Sequence, residues 1–211
     1  MTIETFDDLR NKERETRREL ILTAALTLFA QNDFKNVTVR EIAKEAGVSP
    51  GTIYRYYENL DDLFIDIISV RTQEVVHELG SPAEGNTPPD IRTLCRRYVT
   101  FLNDNLSFYQ MMAHFMVGGR ISPDAVAKLN PLMRGFLDII EKSISFHSPD
   151  GDSRSTAQAL FSALNGIMIS YAIYPGRTLP EVREHTIRLA GVIADHFSAD
   201  ANVESKTANK Q

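Results

Sequence analysis

The side chains best suited to specific contacts lie together in one short segment near residue 50. They are two hydroxyls, two phenols and one guanidinium, carried by Ser49, Thr52, Tyr54, Tyr56 and Arg55. Such groups form hydrogen bonds with phosphate oxygens and with the base edges of the DNA major groove. The pattern favours contacts with a nucleic acid over acid–base or nucleophilic chemistry.

Two short helices joined by a tight turn would position these side chains. Thr38 with Glu41 three residues later has the form of a capping box, which predicts a helix start. Gly47 predicts the end of that helix, and Ser49 followed by Pro50 predicts the start of the next one. This arrangement of two short helices around a glycine-containing turn is typical of a helix-turn-helix.

Flanking helices are predicted to support this pair, because a helix of about two turns is not stable alone. Apolar residues repeat along one face of residues 13–31 and again along residues 63–76, at the spacing of amphipathic helices. Ile53 and Tyr57 are predicted to face this platform. The other side chains of the short helix are then left exposed.

The rest of the chain also reads as helices, and no segment alternates apolar and polar residues for long enough to predict a strand. Further amphipathic segments lie at residues 90–103, 107–117, 123–145, 155–174 and 179–197. We therefore predict an all-α protein with a three-helix, helix-turn-helix DNA-binding domain over 1–58. A helical ligand-binding and dimerisation domain is predicted over 59–198, and a disordered tail over 199–211.

The sequence from residue 18 to residue 63 resembles the TetR family of bacterial transcriptional regulators. The resemblance rests on the runs Ile21 to Ala30, Thr38 to Ser49 and Gly51 to Tyr57, together with Phe34 and Leu63. It implies that the second helix contacts DNA through Thr38 and Arg40. It implies the same role for Pro50, Gly51, Thr52, Tyr54 and Tyr56 on the recognition helix, where Ser49 and Arg55 complete the predicted DNA-binding set.

The chain departs from the family pattern at two places. The family often carries a lysine at the start of the fourth helix, where this chain reads Asn59-Leu60-Asp61-Asp62. Asp33 replaces the usual glycine before the aromatic residue Phe34. One phosphate contact of the family is therefore not expected here.

The negative charge of the chain is not evenly distributed along the sequence. A net charge of −5 and a pI of about 5.6 argue mildly against nucleic acid as a partner. Residues 9–57, however, carry nine basic and six acidic residues, a balance of +3. This modest excess predicts few ion pairs with phosphate and more contacts from hydroxyls and helix N-termini.

The last two long helices carry apolar stripes that predict a two-fold, four-helix interface between two copies of the chain. The family resemblance implies the same homodimer, and intramolecular packing of these residues is the alternative. The predicted dimer residues are Leu160, Leu164, Met168, Tyr171, Leu189, Ile193 and Phe197.

Aromatic and methionine residues are concentrated between residues 101 and 136. Methionine adapts its shape and suits a pocket for an apolar ligand, although ordinary core packing is the alternative for any one residue. The resemblance implies a ligand cavity, for which the predicted residues are Phe101, Phe108, Met111, Met112, Phe115, Met116, Met133 and Phe136. Residues 54–63 and 101–120 are also similar to regulators of fatty-acid metabolism, which implies an acyl chain or acyl-thioester as the effector.

Other chemistry finds little support in the sequence. The single cysteine, Cys95, excludes an internal disulfide, and its neighbours Arg96 and Arg97 would lower its thiol pKa if it were exposed. His185 and His196 are too far apart on a helix to bind one metal ion. No phosphate-binding glycine loop, nucleophile elbow or carboxylate pair occurs. We expect neither an enzyme, nor a cofactor, nor a metal site.

Hydropathy excludes a membrane partner. No apolar run reaches the ~18 residues of a membrane span. The first 18 residues are polar and lack the apolar region of a secretory signal. We therefore expect a cytoplasmic protein.

Together these patterns predict a ligand-responsive, homodimeric transcriptional repressor that binds a palindromic double-stranded DNA operator and is released by a small effector molecule. The second hypothesis is a helical ligand-binding or protein-interaction module that does not bind DNA. The acidic pI and the missing lysine near Leu60 favour this alternative.

Overall fold

The computed structural model describes residues 5–81, 87–118, 122–147, 152–172 and 174–208, without the side chains of residues 34, 116–118 and 199–208. All regular structure in these residues is helical, which confirms the predicted all-α class. The first helices are α1 (Phe6–Gln31), a 3-10 turn (Phe34–Asn36), α2 (Val39–Glu45), α3 (Pro50–Tyr54) and α4 (Leu60–Gly80). They are followed by α5 (Ile91–Asp104), α6 (Leu106–Gly118), α7 (Pro123–His147), α8 (Ser153–Tyr171) and α9 (Leu179–Ala208).

Helix α1 begins at Phe6, earlier than the predicted start at residue 13. Thr5 and Asp8 form a capping box there, in which the Asp8 carboxylate accepts a hydrogen bond from the Thr5 backbone N–H at 2.9 Å. The box satisfies backbone donors that a helix start otherwise leaves unpaired. It therefore extends α1 by about two turns before the segment that resembles the family.

Helix α9 extends to Ala208, into the segment predicted to be a disordered tail. This segment contains no glycine or proline that would end the helix, and alanine, glutamate and lysine within it favour helical structure. The last three residues, 209–211, lie outside the described residues.

The chain packs as two compact units. The first unit contains Met1–Val70 and Ser107–Leu129, and the second contains Arg71–Leu106 and Asn130–Gln211. The predicted domain boundary, after residue 58, places α4 and α6 outside the N-terminal domain. In the structure the first half of α4 and nearly all of α6 pack with the N-terminal helices. The ligand-binding and dimerisation roles of residues 59–198 remain predictions.

The core of the first unit is built on one face of α1, where Ile21, Ala25 and Phe29 are buried. The ring of Phe29 packs edge-on against Phe64 of α4, with 6.0 Å between ring centroids. Phe64 also packs against Phe115 of α6, at 5.1 Å. This aromatic core holds α1, α4 and α6 together beside the helix-turn-helix.

The core of the second unit lies where α5 packs against α8 and α9. Ala190 and Ala194 of α9 are fully buried, and their small side chains permit close approach of a neighbouring helix. Asn103 of α5 donates a hydrogen bond to the buried Thr186 of α9 at 3.0 Å. A satisfied polar pair of this kind fixes the register of α5 against α9. Among the described residues, no helix is long and apolar enough to span a membrane.

Candidate nucleic-acid interface

Helix α2 starts at the predicted capping box. The Glu41 carboxylate accepts a hydrogen bond from the Thr38 backbone N–H at 2.8 Å, and the Thr38 hydroxyl accepts one from the Glu41 N–H. The hydrogen bonds with the Thr38 side chain and backbone lower the pKa of Glu41. Thr38 and the neighbouring Arg40 are both exposed at this end of the helix.

The turn between α2 and α3 depends on Gly47, whose φ of +67° lies in the left-handed region. Glycine adopts this conformation without a steric penalty, which makes it the usual residue after a helix end. The Val48 backbone N–H then donates to the Ala43 carbonyl at 2.9 Å. The Ser49 hydroxyl accepts from the Thr52 N–H at 3.1 Å and caps α3, with Pro50 in the first turn. The predicted helix-turn-helix is confirmed at each of these positions.

Helix α3 presents most of the predicted DNA-binding side chains to solvent. Tyr54 is 59% exposed. Ser49, Pro50, Gly51 and Arg55 are also exposed, while Ile53 and Tyr57 are buried as predicted.

Thr52 departs from the prediction, because its side chain is only 9% exposed. Its hydroxyl oxygen lies 2.9 Å from the Ser49 hydroxyl and accepts a hydrogen bond from Arg55 at 3.4 Å. The Thr52 hydroxyl thus joins the Ser49 cap to the Arg55 side chain, which supports α3 and orients Arg55.

Tyr56 joins the end of the recognition segment to α1. Its hydroxyl donates to the Arg14 carbonyl at 3.2 Å, and the Arg14 guanidinium lies 5.9 Å from the Tyr56 ring centroid. This is a cation–π distance. Arg10 lies one turn before Arg14 on the same face of α1, and both are exposed. These two arginines are not among the predicted DNA-binding residues, although their four-residue spacing indicates a basic face of α1.

Asp66 of α4 connects the recognition segment to two other helices. Its carboxylate accepts hydrogen bonds from the Tyr57 hydroxyl at 2.6 Å and from two nitrogens of Arg18 at 2.9 and 2.5 Å. The hydrogen bond with Asp66 raises the pKa of Arg18, while burial and then Asp66 raise the pKa of Tyr57. These residues are distant in sequence, so no local pattern could have indicated the cluster.

The acidic residues that replace the expected lysine bind the start of α7 within the first unit. Asp62 accepts from the Lys128 ammonium at 2.8 Å, which raises the pKa of Lys128. Asp61 accepts from the Ser122 backbone N–H at 2.9 Å. In this chain the first turn of α4 therefore makes intramolecular contacts at the place where the family often carries a phosphate-binding lysine.

The residues predicted to bind a ligand are divided between the two units. In the first unit Phe108 and Met111 are buried and Met112 and Phe115 are partly exposed, while the side chain of Met116 lies outside the described residues. In the second unit Phe101 and Phe136 are buried and Met133 is partly exposed.

Two further aromatic groups belong to the same helices or pack against these residues. Phe136 packs against Tyr98 and Phe161, with ring centroids 5.4 Å apart in each pair. In the first unit, the hydroxyl of Tyr109 on α6 is buried and has no hydrogen-bond partner among the described residues. Burial raises the pKa of Tyr109 to about 12.

Three of the predicted dimer residues are buried in the core of the second unit. Leu160, Leu164 and Met168 are at most 2% exposed, which is the intramolecular packing that the alternative predicts. They line the face of α8 that packs inward, since α5 and α9 cover it. Tyr171, Leu189, Ile193 and Phe197 are partly exposed.

The opposite face of α8 is exposed and carries small residues and one large apolar side chain. Its members are Ala159, Ser162, Gly166 and Ile169, of which Ile169 is 57% exposed. Small residues allow a neighbouring helix to approach closely, so this face suits helix packing better than the buried stripe.

Cys95 is fully buried, and desolvation raises its pKa to about 12. Its thiol is therefore protonated at neutral pH, and the exposure that Arg96 and Arg97 would need to lower its pKa is not present. Among the described residues, no group of three or more His, Cys, Asp or Glu is placed to hold a metal ion.

Comparison with known sequences supports the family assignment at the N-terminus. Residues 21–67 match the family model of bacterial regulatory proteins of the tetR family. An uncharacterized HTH-type transcriptional regulator from Haemophilus influenzae is 35% identical over 57 residues. That match covers 27% of this chain and 28% of the relative, so the chain spans less than a third of the relative's length.

Solved structures share the fold over most of the chain at low sequence identity. The fatty acid degradation regulator FadR from Bacillus halodurans has a TM-score of 0.67 and 19% identity, over 82% of this chain and 94% of that one. FadR from Bacillus subtilis, solved in complex with stearoyl-CoA, has a TM-score of 0.68 and 16% identity, over 85% and 97%. Salmonella enterica GusR has a TM-score of 0.69 and 17% identity, over 87% and 94%. Residues 21–67 are thus similar in sequence to bacterial regulatory proteins of the tetR family, and the solved structures share the fold over most of the chain.

Proposed function

We propose that the chain is a transcriptional regulator, not an enzyme, that inserts α3 into the major groove of an operator. The observation that carries the proposal is the complete helix-turn-helix, in which Gly47 sets the turn and Tyr54 and Arg55 project into solvent. A phenol and a guanidinium at these positions suit contacts with base edges and phosphates. The match of residues 21–67 to the tetR family model supports this proposal.

The DNA-contacting surface extends onto α1 in this proposal. Arg14 stacks on Tyr56, and Arg10 continues the basic face one turn further. Two exposed guanidinium groups beside the recognition helix would bind phosphates that flank the groove. They would compensate for the phosphate contact that is lost where Asp61 and Asp62 stand at the start of α4.

The regulator acts as a homodimer on a palindromic site, since one short recognition helix contacts too few base pairs for specificity. The exposed face of α8 and the partly exposed residues Leu189, Ile193 and Phe197 of α9 supply the contact.

An apolar small molecule, such as an acyl chain or acyl-thioester, releases the operator in this proposal, so the protein is a repressor. The support is the aromatic packing of Phe136 against Tyr98 and Phe161 within the second unit. The effector lowers DNA affinity by binding more tightly to the released conformation.

The decisive experiment is a titration of the purified protein with the DNA upstream of its own gene, at several salt concentrations. We expect specific, saturable binding whose affinity falls steeply with salt, because phosphate contacts release counterions. Absence of specific binding at low salt would contradict the proposal. It would favour the alternative, a helical module that binds a ligand or a protein.

A matched pair of variants tests the α1 contact. Arg14→Ala and Lys12→Ala each remove one positive charge from the same turn of α1, but Lys12 lies on the opposite face of the helix. We expect Arg14→Ala to weaken binding at least tenfold and to reduce the salt slope by about one, and Lys12→Ala to do neither. Equal losses of DNA affinity in the two variants would mean that α1 acts only through its overall charge and that Arg14 makes no direct contact with phosphate.

A further inference from the structure

The outer faces of α5 and α9 form a cleft of about 510 Å³ within the second unit. Its charged lining consists of three arginines and one carboxylate, Arg92, Arg96, Arg188 and Asp195. Ile187 and Val192 add an apolar wall. The cleft is thus positively charged in a chain whose net charge is −5.

The single carboxylate neutralises only one of the three arginines. Asp195 forms an ion pair with Arg92, which bridges α9 and α5 at one side of the cleft. Among the described residues, no carboxylate lies within ion-pair distance of Arg96 or Arg188. Both side chains are exposed, so two guanidinium groups face the cleft without a counter-charge.

This arrangement differs from that of two other arginines on the surface of the unit. Arg154 pairs with both Asp138 and Glu141, and Arg183 pairs with Asp104. Arg96 and Arg188 line the same cleft with like charges and no carboxylate partner in the described part of the chain, which favours an anion between them.

Two neighbours position the cleft arginines. A Cβ atom at Gly191 would lie 3.4 Å from a terminal nitrogen of Arg92, so the glycine leaves room for that guanidinium against α9. Arg188 donates a hydrogen bond to Nδ1 of His185 at 2.9 Å. Desolvation and the nearby Arg177 and Arg188 lower the pKa of His185, which keeps this nitrogen a neutral acceptor.

We propose that this cleft binds a phosphorylated small molecule, with Arg96 and Arg188 holding the phosphate. The planar guanidinium group matches two phosphate oxygens at once. The volume falls in the range of small-molecule sites, about 300–1,000 Å³, and exceeds what an inorganic ion needs. Ile187 and Val192 would contact an apolar part of the ligand.

Calorimetric titration with inorganic pyrophosphate tests the proposal, at constant ionic strength with potassium chloride as the balancing salt. We expect saturable binding to the full-length protein and at least a tenfold loss in the double variant Arg96→Ala, Arg188→Ala. The matched control is Arg134→Ala, which removes an exposed arginine of α7 outside the cleft. We expect this variant to bind pyrophosphate with the affinity of the unsubstituted protein. Thermal melts of both variants would establish that these exposed positions do not affect folding.

Two results would overturn the proposal. One is the absence of saturable pyrophosphate binding, or an equal loss in Arg134→Ala. The other is a loss of operator affinity in the double variant when neither the double variant nor the unsubstituted protein binds pyrophosphate. That result would mean that Arg96 and Arg188 contact the phosphates of DNA. Pyrophosphate binding requires no DNA, so the proposed regulatory function is tested separately.

Discussion

Hydroxyl groups in three different surroundings show how burial decides the role of a single residue. Tyr54 projects into solvent, and the Thr52 hydroxyl is held by the cap of α3. The Tyr109 hydroxyl is buried without a partner among the described residues. An exposed group is available to a binding partner, a capped group stabilises a helix, and a buried unpaired group costs free energy. Each surrounding predicts a different response to substitution.

For Tyr54→Ala we expect a loss of DNA affinity of at least tenfold with little change in stability. Truncation removes a contact with DNA, whereas substitution of an exposed residue changes unfolding free energy by only about 0.5 kcal/mol. Binding titrations and thermal melts on the same preparation measure both quantities. Tyr54→Phe serves as the control that separates the hydroxyl from the ring. A parallel fall in melting temperature and affinity would show that Tyr54 supports the fold.

For Tyr109→Phe we expect a gain in stability of about 1 kcal/mol, because the substitution removes a buried, unpaired hydroxyl. The matched control is Tyr98→Phe, since Tyr98 is also buried but shares hydrogen bonds with Asn165 at 3.2 and 3.4 Å. That substitution should lower stability by a similar amount. Urea unfolding of the two variants measures the difference. A loss of stability in both variants would mean that the Tyr109 hydroxyl has a hydrogen-bond partner in solution.

Among the elements, α1, α2 and α9 begin in the same way. Each start carries a threonine whose side chain and backbone bond an acidic residue three positions later, in the pairs Thr5–Asp8, Thr38–Glu41 and Thr178–Glu181. These hydrogen bonds favour the charged carboxylate and lower the pKa of Asp8, Glu41 and Glu181. A helix start that depends on a charged group becomes sensitive to acid.

The capping boxes predict a pH dependence of stability. Because the folded-state pKa of Glu41 lies below its ordinary value of 4.5, its contribution is complete above that value and is lost as pH falls through the lowered one. We expect Glu41→Gln to lower the urea midpoint at neutral pH and to match the unsubstituted protein once the pH lies well below the lowered pKa of Glu41. Glu45→Gln on the same helix is the control. A difference that persists in acid would contradict this account.

The helices could be predicted from sequence because their signals are local. The capping box at Thr38, the turn at Gly47 and the cap at Ser49 each depend on residues within a few positions. The inward face of α8 could not be chosen in this way, because both of its faces carry apolar or small residues. Only packing against α5 and α9 determines that Leu164 is buried and Ile169 exposed.

At the scale of the whole molecule, the two units cut across the order of the sequence. Residues from α6 and the start of α7 join the N-terminal helices, and the rest of α7 belongs to the second unit. The predicted boundary after residue 58 follows the family-like segment, whereas the first unit also includes residues that return from later in the chain. Long-range pairs such as Arg18 with Asp66, and Asp62 with Lys128, complete the first unit and have no local signature.

The proposed dimer gives a prediction at the same scale. We expect Ile169→Lys to produce a monomer in sedimentation experiments, because a charge on the exposed face of α8 opposes apolar contact with a second copy. Val126→Lys, at an exposed position of the first unit, is the control and should leave the dimer intact. Leu164→Lys should instead unfold the protein. A dimer that survives Ile169→Lys would place the interface elsewhere.

The one thiol of the chain offers an internal measure of motion. Cys95 has no exposed surface on α5, so a thiol-specific dye can reach it only while the surrounding helices are transiently open. The rate of labelling therefore reports how often the second unit opens, without an engineered probe. A ligand that binds to the outer face of α5 should slow this rate, and the slowing would reveal binding that leaves the average structure unchanged.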